Sequence, residues 1–166
     1  MTQTKRAIFD TNVYGFLINT NYDEFIVKVK SSLVIIYGCD IVRRELRATP
    51  KEKGIGESTR KKLLYVYDHI IDNHSFETDM KVAKLATEYG LHYRGNISKD
   101  KLVSDFLIVA CASIHRLDVV VSEDNHTMFS TLSMKAYCEV NSKNQLPLPA
   151  FHSLKEFEKS LTMCDI

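Results

Sequence analysis

Three short apolar runs punctuate the chain: KRAIFD at 5–10, SLVIIYG at 32–38 and LDVVVSED at 117–124. Their apolar residues are consecutive rather than alternating, and many are β-branched. That pattern predicts strands covered on both faces, as in a parallel sheet. The stretches between and after them carry apolar residues at helical spacing. DEFIVKVKSS presents Phe25, Ile26 and Val29. CDIVRRELRATP predicts a helix opening at Asp40 as N-cap and stopping before Pro50. STRKKLLYVYDHIID predicts a longer one, with Ser58 as N-cap and Leu63, Leu64, Tyr67, Ile70 and Ile71 on its apolar side. TDMKVAKLATEYG closes on Gly90, the expected C′ residue. KLVSDFLIVACASIHR is the most apolar helix, MKAYCEVNSKN another, LPLPAF an edge strand, and SLKEFEKSL an amphipathic terminal helix. Strands alternating with helices predict an α/β architecture on a mainly parallel sheet.

Composition narrows this picture. A length of 166 residues with 45% apolar content predicts one domain, 1–166, that buries a core without staples. The net charge of +1 supplies no global field for polyanions or a lipid surface, so any such contact must be a local patch. No apolar run approaches the roughly 20 residues of a membrane span. The cysteines at 39, 111, 138 and 164 form no CxxC pair and match no zinc spacing. They are expected to be reduced thiols, packed as small hydrophobes, in a cytoplasmic protein.

The strand ends raise the functional question. Asp10 follows Ala7, Ile8 and Phe9 directly, and Ser122, Glu123 and Asp124 follow the DVVV run. Ligands in open α/β sheets bind at the carboxyl ends of the strands. Two more acids sit in helical stretches: Glu45 among Arg43, Arg44 and Arg47, and Asp105 beside Phe106, Leu107 and Ile108. Singly, Glu45 reads also as a solvated partner of an arginine, Asp105 as a first-turn residue favoured by the helix dipole, and Asp124 as a turn residue. Together they read as clustered carboxylates, whose repulsion a divalent cation relieves. An oxygen-only donor set points to Mg²⁺ or Mn²⁺ rather than zinc. Thr11, Asn12 and Ser122 are placed to orient those ligands.

IFDTNV, the glutamate in VRRELRAT, SDFLIVACAS and VVVSEDNHTM together resemble a PIN domain, over nearly the whole chain. The resemblance implies a three-layer α/β/α sandwich with a short, mainly parallel central sheet. It implies Mg²⁺- or Mn²⁺-dependent endonucleolytic hydrolysis of RNA, by a toxin of a type II toxin–antitoxin module or by a stand-alone RNA-processing nuclease. Asp10, Glu45, Asp105 and Asp124 then become the catalytic metal ligands, and Thr11, Asn12, Ser122 and Asn125 the supporting residues. RNA is the implied substrate; an antitoxin protein and a second copy of the chain, as a homodimer, are the protein partners the resemblance admits. The chain departs from the family pattern where Ser122 replaces threonine and Asn125 stands where an acid is usual.

Substrate contact requires positive charge near the acids. Arg43, Arg44, Arg47, Lys51, Lys53, Arg60, Lys61 and Lys62 are the expected phosphate contacts, with Lys99 and Lys101 next in line. The rival readings are a catalytically degenerate PIN-like module that binds RNA or protein, and an aspartate-nucleophile phosphatase. The phosphatase pattern wants a second acid two residues after Asp10, where this chain has Asn12.

Overall fold

A computed structural model describes residues 3–49 and 56–162. The elements run β1 (Lys5–Phe9), α1 (Thr11–Leu17), α2 (Tyr22–Ser31), β2 (Val34–Cys39), α3 (Asp40–Arg47), α4 (Glu57–Ile71), β3 (Ser75–Phe76), α5 (Met80–His92), α6 (Lys99–Ile114), β4 (Val119–Val121), α7 (Thr131–Lys143), β5 (Ala150–His152) and α8 (Leu154–Thr162). The sheet order is β3-β2-β1-β4-β5, and every pairing is parallel. Helices flank the sheet in an α/β/α arrangement: α5 packs on α6 and α7, α4 packs on α1 and α2, and α3 touches both α4 and α6.

The apolar runs become strands because the sheet covers them on both sides. Ala7, Ile8 and Phe9 are at most 1% exposed, and Val119, Val120 and Val121 at most 2%. Register sets where the strand ends fall. Phe9 pairs with Val121, so Asp10 and Ser122 leave the sheet at the same level. The Asp10 amide then donates to the Val121 carbonyl oxygen at 2.9 Å, and the Ser122 amide to that of His152 at 3.1 Å. Three strand ends are thereby fixed in one row.

Several element boundaries differ from the expected ones. Helix α3 starts at Asp40 itself, with Cys39 in the cap position. The Asp40 carboxylate is engaged by Thr78, whose hydroxyl donates at 2.6 Å and whose amide donates at 3.1 Å. Helix α4 is capped by Gly56 in extended conformation, which leaves Ser58 inside its first turn. Gly90 does not end α5, which continues to His92; a Cβ at Gly90 would lie 3.7 Å from the Phe106 ring, an ordinary packing distance, so the contact with α6 does not itself require glycine. Helix α1 and the two-residue β3 gave no periodic signal. The glycine-bearing loop at 49–58 falls largely outside the described residues, as do Lys51, Lys53 and Cys164. Cys39 and Cys111 are buried free thiols, and Cys138 is free but exposed. Burial pushes the Cys39 thiol up to about 12, so it stays protonated and inert. Among the described residues no helix is long and apolar enough to cross a membrane.

Candidate active site

Asp10 answers for its position through its partners. It is the N-cap of α1, and its Oδ1 accepts from the Thr11 amide at 2.7 Å. Its Oδ2 accepts from the Ser122 hydroxyl at 2.7 Å. The residue is 6% exposed. Burial pushes its carboxyl up to about 6 against the opposing pull of these two hydrogen bonds, and the nearby charges of Glu45 and Asp124 push the same way.

Ser122 is the hub between the two strand ends. While its hydroxyl donates to Asp10, its oxygen accepts from the Asp124 amide at 3.0 Å and from Asn12 Nδ2 at 3.3 Å. Asn12 returns the link, its Oδ1 accepting from the Glu123 amide at 3.2 Å. Ser122 thus holds the Asp10 carboxylate and ties the backbone of Asp124 to it, with Asn12 bracing the link. Glu123 points elsewhere: its Oε1 accepts from the Leu154 amide at the start of α8.

Asp124 is held by its own turn. Its Oδ1 accepts from the amides of His126, at 2.9 Å, and Thr127, at 2.8 Å; its Oδ2 accepts from the Thr127 hydroxyl at 2.6 Å. Burial raises its pKa, but these donors outweigh that and hold it below the usual carboxylate range. Thr127 was not among the sequence candidates, although an Asp-x-x-Thr spacing is a turn signal. Asn125 is exposed at the tip of this turn, outside the bonded set.

Glu45 enters from α3, where the Thr11 hydroxyl donates to its Oε2. Successive helix residues turn by about 100°, which sets Glu45 among the buried Ile41, Val42 and Leu46 and places Arg43, Arg44 and Arg47 on the other side. The arginines therefore do not surround Glu45, contrary to their adjacency in sequence. Arg43 pairs with Asp68 at 3.2 Å and Arg44 with Asp40 at 3.4 Å. On α4, Arg60 donates to the Arg47 carbonyl oxygen at 3.5 Å, and Lys61 pairs with Glu57 at 3.4 Å.

Asp105 differs most from its expected setting. It is not in the first turn of α6, which begins at Lys99 and has Asp100 there. Nearly two turns in, it gains little from the helix dipole, which fades within the first turn. Its Oδ2 is buried without a hydrogen-bond partner. Burial pushes its carboxyl up to about 7; the Thr127 hydroxyl opposes this, and the charges of Asp10, Asp124 and Glu45 add to it. That hydroxyl proton is already committed to Asp124, so Asp105 lacks a full donor.

The four acids lie within electrostatic reach of one another. Among the described residues, no three His, Cys, Asp or Glu side chains close into a ready-made cation cage. The bonding explains why: Asp124 has both oxygens turned onto its own loop. Mg²⁺ needs only one or two carboxylates and keeps its waters, so the donor chemistry fits. The unpartnered Asp105 oxygen is the position a cation would satisfy. A cavity of about 600 Å³ lies elsewhere, between α3, α5 and α6, and its one acid, Asp40, is already spoken for by Thr78 and Arg44.

No family model matches the chain, and no curated protein matches it. Solved structures do. The complex described as VapBC2 from Rickettsia felis bound to a promoter DNA fragment has a chain that matches with TM-score 0.54 and 15% identity, over 89% of this chain and 98% of that one. DNA-bound VapBC from Salmonella typhimurium matches with TM-score 0.55 and 16% identity, over 90% and 98%. A toxin–antitoxin complex from Klebsiella pneumoniae matches with TM-score 0.50 and 15% identity, over 76% and 93%. The shared property is the fold, which is PIN-like.

Proposed function

We propose that the protein is a divalent-metal-dependent endoribonuclease, the toxin component of a toxin–antitoxin module, with Asp10, Glu45, Asp105 and Asp124 as its catalytic acids. The observation that carries this is Asp105: a carboxylate among the apolar residues of α6, its Oδ2 buried without a hydrogen-bond partner, beside three further acids. A purely structural acid would be capped or paired. The fold shared with chains of toxin–antitoxin complexes supports the toxin assignment and an antitoxin as partner. Asn12 weighs against a phosphatase, because it is bound into the link between Ser122 and Glu123 and offers no second acid.

Asp10, Asp105, Asp124 and Glu45 would hold Mg²⁺ or Mn²⁺. When bound, such a cation polarises a phosphodiester and lowers the pKa of a water. Ser122, steadied by Asn12, would hold the Asp10 carboxylate and anchor the backbone of Asp124 beside it. Asp124 stays anionic through its three donors, and Thr11 fixes Glu45. Near neutral pH Asp105 is partly protonated in the free protein while Asp10 is mostly ionised, so Asp105 would be the acid that gives up a proton on binding a cation. In-line attack by water breaks the bond to the 3′ oxygen, leaving a 5′ phosphate and a 3′ hydroxyl. Because that route does not involve the 2′ hydroxyl, the preference for RNA is set by how the strand is held.

The test is incubation of purified protein with single-stranded and structured RNA in Mn²⁺, Mg²⁺ or EDTA, with Asp10→Asn alongside. Cleavage that requires metal and disappears in Asp10→Asn is expected. Equal cleavage by the two proteins, or none in either metal, would overturn the reading.

A further inference from the structure

One side of α4 carries features for which the acid cluster has no use. At about 100° per residue, Ser58, Lys62, Tyr65 and His69 share a side of that helix. Tyr65 is 45% exposed, yet its ring is not loose. The His69 ring lies 3.9 Å away, centroid to centroid, tilted by 32°. Tyr22 of α2 meets Tyr65 edge-on at 6.3 Å and 67°. His69 is pinned in turn, its Nδ1 donating to the Tyr65 carbonyl oxygen at 2.8 Å. The result is an aromatic surface fixed in advance and open to solvent.

That surface connects to the acids. A recess of about 560 Å³ is lined by Tyr22, Glu57, Ser58, Lys61, Lys62 and Tyr65. Lys62 is also a wall of a second recess, about 390 Å³, which passes Thr59 and Leu63 and reaches Thr11. Thr11 in turn donates its hydroxyl to Glu45. Lys61 is occupied by Glu57, whereas Lys62 makes no ion pair among the described residues. A track thus leads from the acid cluster to an exposed ring, with the Lys62 cation between them.

We infer that Tyr65, backed by His69 and Tyr22, is a stacking platform for one unpaired nucleobase of a single-stranded RNA, with Lys62 contacting the phosphate between that base and the scissile bond. The ligand class rests on the nuclease reading above. A planar aromatic face held in place beside a lysine matches the alternation of base and phosphate along a single strand. Because every base has a π-face, stacking tolerates any sequence. The platform therefore fixes how far the strand extends and where it is held, not which base is cut.

The test is binding of fluorescein-labelled oligouridine to the full chain in EDTA, so that binding is read without cleavage. Tyr65→Ala is expected to weaken binding about tenfold with the melting temperature unchanged, while Tyr65→Phe keeps wild-type affinity. A single abasic position is then walked along the strand. At one register it should cost the wild type the same factor and cost Tyr65→Ala nothing further. Unchanged affinity in Tyr65→Ala, or an effect insensitive to every abasic position, overturns the proposal and leaves this side of α4 to a peptide partner. Tyr65-dependent binding in a protein that cleaves no RNA would fault the nuclease reading alone.

Discussion

Asp105 and Asp10 make the metal-free protein sensitive to pH in a direction that can be worked out. Both carboxyls are raised from 3.8, to about 7 and about 6. Between the unfolded and folded values the native state binds more protons than the unfolded chain. The stability contributed by the protonated forms is complete below the unfolded value and is lost as pH rises through about 6 to 7. Melting temperature in EDTA should therefore fall from pH 5 to pH 8. Asp105→Asn should flatten that fall, melt higher than wild type at pH 8 by a few degrees, corresponding to about 1–2 kcal/mol, and lose both cleavage and the upward shift with Mn²⁺. A variant that melts lower and keeps the Mn²⁺ shift would make the acid structural. Ser122→Ala removes the donor to Asp10 and the acceptor for the Asp124 amide together. A loss of about 1–3 kcal/mol in urea unfolding is expected, along with weaker Mn²⁺ binding, whereas Ser122→Thr keeps both. Asp10 and Ser122 were legible because each directly follows a buried apolar run, one of Ala7, Ile8 and Phe9 and the other of Val119, Val120 and Val121. Thr127 was not, because its role arises from a turn that brings it back onto Asp124.

Elements were legible where length and periodicity agreed. The five-residue β1 and six-residue β2 each contain a continuous apolar run (Ala7, Ile8 and Phe9 in the first), and the fifteen-residue α4 shows its spacing plainly. Helix α1 has seven residues, two of them the polar pair after Asp10, and a glycine at 15; its apolar side is too short to show a period. Strand β3 has two residues and exists only because β2 offers it a partner. The contact of β2 with α4 was equally silent in sequence. A Cβ at Gly38 would meet the Tyr67 hydroxyl and lie 2.7 Å from Ile71 Cδ1. The Tyr67 hydroxyl donates to the Cys39 carbonyl oxygen at 3.1 Å, so it has little freedom to retreat. Gly38→Ala should destabilise by about 1–3 kcal/mol through overpacking, measured by urea unfolding, and adding Tyr67→Leu should recover part of the loss. Independent effects of the two changes would mean that α4 does not press on β2 there.

Across the whole molecule the charge is nearly balanced, so position matters more than total. The arginines of α3 lie away from Glu45 and are partly neutralised by Asp68 and Asp40, while Lys62 borders the recess that reaches Thr11. Neutralising Arg60, Lys61 and Lys62 together should weaken RNA binding and lower its salt slope by about 0.7 per lost contact on single strands. Neutralising Arg43, Arg44 and Arg47 should change that slope much less, and the reverse ranking would move the RNA path to α3. The sheet order also carries a consequence for the chain as it is made. Asp10 reaches its hydroxyl partner across 112 residues, and the central first strand must wait for β4. At roughly 5–20 residues per second of synthesis, a ribosome carries Asp10 for roughly 6–22 s before Ser122 is made. During that interval a nascent chain can pair β1 with β2 but cannot assemble the acids. A translation arrest anywhere before β4 therefore leaves a fragment without Ser122 and Asp124, in which the four acids cannot come together.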